Sequence, residues 1–227
     1  MARRTDHNER REAFAAAALR VIMRAGVGGL TVREVAKEAG FTTGALTHYF
    51  RSKDQVLIEA SEYSAKLVRP RMEKFGKEPA AVEALRRVVA EALPINKTVR
   101  GYWRIWVGFW ERASYNPEVA KVMRIRYDEW RGRLAAIIRR AQAEGEAPAT
   151  FDADLAAQEL VAVVDGIGVQ VLLGSSRIAA ARQREIIETW IRMMVAGHTG
   201  RRIESRGAAG ARALSTPSGS PTPRGGG

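Results

Sequence analysis

Apolar positions along this chain recur at intervals of three and four, and nowhere alternate with polar ones as a strand requires, so the pattern predicts an all-α protein. Phe14, Ala18, Val21, Ile22 and Ala25 form one stripe of a helix over about residues 8–25, ended by Gly26, Gly28 and Gly29. Thr31 followed by Glu34 is a capping box that starts a helix at Val32, and Ala39-Gly40 ends it. Thr42 caps a short helix, Thr43 to Tyr49, and Ser52 with Gln55 caps another. Val35, Ala36, Ala39, Phe41, Leu46 and Phe50 are the inward positions, and the small Ala36 allows a close crossing.

A long helix follows from Lys53 toward Phe75, in which Pro70 is expected to force a kink or an end near Val68. Pro79 opens the next helix at its first turn, Val82, Leu85, Val89 and Ala92 give it one apolar stripe, and Pro94 closes it. Asn96 caps the most aromatic segment. Asn116-Pro117-Glu118 starts a helix that runs through Met123, Trp130, Leu134 and Ile138 to about Gly145. Asp152 caps Leu155 to Leu173, nearly wholly apolar apart from Asp165 and Gln170. Arg182 to Val195 is the last helix, with Ile186, Ile187, Trp190, Ile191 and Met194 on its buried side. From Gly197 onward Gly, Pro, Ser, Ala and Arg dominate, a composition that buries too little apolar surface to offset ordering entropy.

Charge sharpens this picture. The net charge is +12, and Met1 to Lys53 holds ten Lys/Arg against five Asp/Glu. From Arg201 on, five arginines face one glutamate, which leaves +3 for the whole middle of the chain. A basic end containing two capped short helices around a Gly turn predicts a helix-turn-helix whose second helix enters the DNA major groove. An ordinary helical hairpin shares the two helices and the Gly turn; the added caps and apolar pattern favour DNA. Thr42, Thr43, Gly44, Ala45, Thr47 and His48 are the expected contacts on that helix: Thr42, at the cap, suits a phosphate oxygen, Gly44 gives room for close approach, Ala45 and Thr47 offer methyls to thymine, and His48 can donate to a base edge or phosphate. Arg33, Tyr49 and Lys53 are expected at the DNA backbone. Arg3 and Arg4 form an arm that reads equally as a solvated terminus or a minor-groove contact.

Over Leu30–Ala36, Ala39-Gly40, and Gly44-Ala45-Leu46-Thr47-His48-Tyr49-Phe50 with Ser52-Lys53, the chain resembles the TetR family of transcriptional regulators. Many members have tyrosine at the position of Thr47; the Thr-His-Tyr-Phe run is similar to that of the choline-responsive (BetI-type) subgroup. The resemblance implies that the helix-turn-helix positions above touch DNA, that an inducer pocket lies among the central helices, and that the last two helices form a dimer.

Tyr102, Trp103, Trp106, Phe109 and Trp110 are the candidate pocket residues, since aromatic walls suit flat or cationic ligands; each taken singly also reads as core packing. Glu111 reads as a pocket counter-charge or an exposed helical acid. Asp165 reads as a hydrogen-bonded core carboxylate, or as part of an interface helix that Gly166 and Gly168 let a neighbour approach.

The expected organisation is therefore a helix-turn-helix domain at residues 1–53, a helical ligand-binding and dimerisation domain at 54–198, and a disordered basic tail at 199–227. The expected function is a repressor that binds a palindromic operator in double-stranded DNA as a homodimer and is released by a small organic effector, cationic or aromatic. A constitutive DNA-binding protein without effector is the first alternative and an all-α enzyme the second. The histidines are scattered, His-Glu-x-x-His and Gly-rich phosphate loops are missing, and cysteine is absent, so no catalysis, cofactor or metal is expected. A cytoplasmic location away from membranes is expected from the charged N-terminus and the charges in every long window.

Overall fold

The computed structural model describes residues 2–200, with side chains from His7 onward. The described residues are helical: α1 (Ala2–Ala25), α2 (Val32–Ala39), α3 (Thr43–Tyr49), α4 (Lys53–Gly76), α5 (Ala81–Ala90), α6 (Lys97–Ala113), α7 (Pro117–Ala143), α8 (Ala153–Leu172) and α9 (Ala180–Val195), with a short 3₁₀ turn at Ser176–Ile178.

Side-chain caps set most of the helix starts. The hydroxyls of Thr31, Thr42 and Ser52 accept from the amides of Glu34, Ala45 and Gln55 at 3.1–3.2 Å. Asn96, Asn116 and Asp152 cap α6, α7 and α8 in the same way. Gly40 takes φ 75°, the left-handed exit that turns the chain from α2 toward α3. Helix α5 starts differently. Pro79 lies two residues ahead of it rather than in its first turn, and the Glu146 carboxylate, from the loop after α7, accepts the Ala81 and Val82 amides at 2.9 and 2.8 Å.

Two cores divide the helices. The first joins Phe14, Ile22, Leu30, Leu46 and Phe50 to Leu57 of α4. It does not close within the first three helices, because Ile105 and Phe109 of α6 and Val119 and Met123 of α7 complete it. The second packs Leu85, Trp103, Leu134, Ile138, Leu160 and Ile191 from α5 to α9. Helix α6 thus serves both cores, and glycine makes this geometrically feasible. A Cβ at Gly101 or Gly108 would overlap the side chains of Met23 and Val27, and one at Gly168 of α8 would overlap the Trp103 ring. Gly168 therefore admits an aromatic ring of the same chain, where a neighbouring helix was expected.

Several expectations are corrected. Helix α1 reaches back to Ala2, so the segment expected as an arm is helical backbone, while the Arg3 and Arg4 side chains lie outside the described ones. Helix α4 runs through Pro70: Lys66 and Pro70 are both exposed, so water can satisfy the carbonyl the proline leaves without a donor. Phe41 is 39% exposed, resting on Phe14 with ring centroids 5.0 Å apart. Gly197, Thr199 and Gly200, expected in or beside the tail, are buried, and Gly200 bonds to Asp152 and the Glu159 carboxylate. The rest of the tail lies outside the described residues. Helix α8 has the length and composition to cross a membrane, yet it packs on α6, α7 and α9.

Gly168→Ala is expected to lower unfolding free energy by about 1–3 kcal/mol, because overpacking against Trp103 outweighs the helix-propensity gain of up to ~1 kcal/mol. Gly132→Ala, where a Cβ meets nothing within 4 Å, is expected to leave stability unchanged or raise it. Urea titration of both variants checks the contrast.

Candidate DNA-reading surface and effector cavity

The helix-turn-helix is held as a unit by its caps and by Arg20 and Arg24 of α1, which bond to the Glu38 carboxylate of α2 at 2.8 and 3.0 Å. Those guanidiniums hold the Glu38 carboxyl below its ordinary value. Arg33, Thr42, Thr43, Gly44, Thr47, His48 and Lys53 are exposed together on this unit, with α3 outermost. Thr42 uses its hydroxyl oxygen as the cap, and Thr47 donates its hydroxyl to the Gly44 carbonyl at 2.9 Å. Ala45 and Tyr49 differ from the rest. One helical turn apart beside Leu46, they are half-buried, and the Tyr49 ring lies 4.6 Å from His7 and 5.3 Å from Phe14, so Tyr49 braces α3 against α1.

A cavity of about 190 Å³ opens between α4, α6, α7 and α8. Tyr102, Trp103 and Trp106 line it from α6, as expected, and Tyr127 and Trp130 add aromatic faces from α7. Trp103 forms a fixed wall: it is buried, and its indole N–H donates to the Ala92 carbonyl at 2.8 Å. Phe109 and Trp110 are not in the lining. Phe109 points to the other side of α6, into the first core, and Trp110 packs edge-on behind Trp103 with centroids 6.0 Å apart. One α6 stripe cannot all face the cavity when the helix is packed on both sides.

Asp165 belongs to this cavity. Its carboxylate accepts the Tyr127 hydroxyl at 2.7 Å. Burial raises its pKa from 3.8 to about 6, against the Tyr127 hydrogen bond and the more distant charge of Arg131. Burial and the adjoining carboxylate together push the Tyr127 phenol up. Glu111 is elsewhere: exposed, it accepts the Tyr115 hydroxyl at 2.7 Å. Charged groups of the lining are ion-paired, Glu91 with Arg71 at 2.9 Å and Arg126 with both Glu129 and Glu62. Among the described residues no cluster of His, Cys, Asp or Glu is arranged to hold a metal.

Cavity and DNA-reading unit meet at two places on α6. Gly101 and Gly108 receive Met23 and Val27, and the Arg104 guanidinium bonds to the Met23 carbonyl. At its far end, Arg112 grips Asp54 through its Nε and Nη2 at 2.5 and 2.7 Å, and the Asn116 side-chain amide adds a bond of 2.7 Å. Asp54 is the second residue of α4, four positions beyond Phe50; these bonds, Arg112 first, hold its carboxyl below 3.8. Asp54, Arg112, Tyr127 and Trp130 were not picked out as site residues. In the sequence Asp54 looks like a dipole-favoured acid in a first turn, and Tyr127 and Trp130 fall on the apolar row of α7 and read as core.

Residues 15–60 match the family described as bacterial regulatory proteins, tetR family, and residues 81–196 match the BetI-type transcriptional repressor C-terminal family. The chain is 27% identical over 188 residues to the HTH-type transcriptional regulator PksA of Bacillus subtilis, covering 82% of this chain and 90% of that one. It is 26% identical over 186 residues to the regulator BetI of Stenotrophomonas maltophilia, covering 80% and 91%. A regulator from Saccharomonospora viridis, solved in complex with choline, superposes with a TM-score of 0.76 at 28% identity, covering 86% of this chain and 100% of that one.

Because native Asp165 holds its proton to higher pH than the unfolded chain does, its contribution to stability falls as pH rises from 3.8 to about 6. Asp165→Asn keeps an acceptor for Tyr127 and carries no charge. The variant is expected to gain stability relative to the parent at neutral pH and to lose that gain below pH ~4, as urea titrations at both pH values will show.

Proposed function

Because the chain belongs to the TetR family of bacterial transcriptional regulators and carries a BetI-type C-terminal domain, we propose that it is a cytoplasmic homodimeric repressor released from its operator by a small cationic or aromatic effector bound in the α4–α8 cavity. The observation that carries this reading is the double role of α6, one face in the cavity wall and the other in the core of the DNA-reading unit. An effector that shifts α6 or α4 must then shift α1 to α3. In a dimer, the two α3 helices have to lie about 34 Å apart to meet successive major grooves, so a small rotation suffices for release.

Residues 1–53 are the proposed DNA-binding domain and 54–198 the effector and dimer domain. Arg33, Lys53, Tyr49 and the capping Thr42 are proposed at phosphates, and Thr43, Gly44, Ala45, Thr47 and His48 at the groove. Dimerisation through α8 and α9 is supported by the outward row of α8, where Leu155, Ala162, Gly166 and Val169 are not fully buried and Leu173 just beyond is 81% exposed. Apolar apart from Glu159, such a row has the character of an interaction face. The choline complex of the Saccharomonospora viridis regulator supports a cationic effector, as do the aromatic faces around Asp165.

Thr43→Ala and Thr47→Ala are expected to change the ranking of operator variants, by about 1–3 kcal/mol where a good contact is lost. Lys53→Ala should weaken all variants alike and lower the log–log salt slope by about 1 for each phosphate contact removed. Fluorescence anisotropy across salt concentrations measures both, and an unaltered ranking in the threonine variants contradicts the groove assignment. Trimethylammonium compounds are expected to quench tryptophan fluorescence saturably and release operator DNA over the same concentrations. Binding that no such compound affects favours a constitutive regulator.

A further inference from the structure

The charges in the cavity wall do not all have partners. Glu91 is paired with Arg71, and Glu129 with Arg126; Arg126 and Arg69 both approach Glu62. Two groups remain. Asp165 receives a hydrogen bond from the neutral Tyr127 and none from a cation. Arg133, on α7, makes no hydrogen bond or ion pair among the described residues and is half-buried in the lining. Every other described lysine or arginine lacking a partner is exposed.

The Arg133 guanidinium keeps contact with water, since none of its nitrogens is among the buried polar atoms without a partner, and it can therefore meet an anion that enters the cavity. The geometry ties it to the same ligand that Asp165 would hold. Tyr127, Trp130 and Arg133 form one row of α7 at intervals of three, and helical side chains lean toward the N-terminus, so Arg133 leans back toward Trp130 and Tyr127. The rise from Tyr127 to Arg133 is ~9 Å along the axis. Asp165 and Arg133, neither of them ion-paired among the described residues, thus line one cavity together with these aromatic rings.

We propose that the effector is a zwitterion, whose ammonium end lies on the aromatic faces beside Asp165 and whose carboxylate end is held by the Arg133 guanidinium. The inference rests on the cavity being the effector site. It narrows the ligand class from cations to molecules bearing both charges. Arg133 is then a specificity-determining residue, favouring a ligand that carries a carboxylate over a plain cation, while Asp165 disfavours a plain carboxylate.

The test uses the full chain, tryptophan fluorescence and operator release, with a matched series: trimethylammonium alcohols, trimethylammonium carboxylates of graded spacer, and carboxylates without the ammonium. The zwitterions are expected to bind about tenfold or more tightly than the alcohols, as a charge-assisted hydrogen bond allows, and the plain carboxylates not at all. Arg133→Gln should abolish that preference, Arg133→Lys should retain part of it, and Asp165→Asn should weaken zwitterion and alcohol alike. Thermal melting checks that each variant is folded. If the alcohols bind the parent as tightly as the zwitterions, or Arg133→Gln keeps the preference, the zwitterion proposal fails while the cavity remains the effector site. If no member of the series quenches or releases DNA, the effector site itself is misassigned and both readings fall.

Discussion

Helix α6 must satisfy two cores at once, and the rest of the structure follows from that demand. Ile105 and Phe109 fill the space between α1, α4 and α7, while Trp103 fills the space between α5, α7 and α8. Such a helix has little free surface, so the backbone must come close to its neighbours, and the side chains of Met23, on α1, and Val27, in the turn after it, occupy the places where Gly101 and Gly108 have no Cβ. At its C-terminal end, Arg112 fixes the first turn of α4 through Asp54, directly after the turn that ends α3. Close-packed interiors do not deform continuously, so a displacement at one face of α6 is passed on at the other.

The cavity takes its chemistry from the same arrangement. Trp103 is immobilised by Ala92 and Gly168, which gives the cavity a rigid wall, and the remaining aromatic faces come from a second helix, α7. Asp165 keeps its proton to higher pH because the surroundings that make an aromatic site also desolvate the carboxylate. A bound cation would hold it ionised. Most charged groups of the lining are paired across α4, α7 and the α5–α6 connection, which leaves few charges in the wall without an ionic partner.

Local chemistry made most helix starts legible in the sequence. Thr31, Thr42, Ser52, Asn96, Asn116 and Asp152 cap where their spacing placed them, because a cap needs only residues within a turn of itself. The start of α5 was not legible in that way, since its cap is Glu146, 65 positions away from Ala81. Pro70 and Phe41 misled for a related reason: whether a proline breaks a helix, or a phenylalanine turns inward, depends on exposure set by distant packing. The aromatic run of α6 correctly marked a cavity wall, but a single stripe could not reveal that a second core claims Phe109. Tyr127 and Trp130 were hidden because they face Asp165 and the α6 aromatics from a different helix.

Coupling of cavity and DNA-reading surface through α6 is tested most directly, in the proposed homodimer, by the distance between the two α3 helices. The chain contains no cysteine, so Arg51→Cys, at an exposed position beyond α3, carries one spin label per protomer. Pulsed dipolar spectroscopy of the labelled dimer is expected to give one inter-label distance distribution without ligand, and a distribution displaced by several ångströms when a trimethylammonium compound has saturated the tryptophan quench. An unchanged distribution in the fully quenched protein would contradict the coupling.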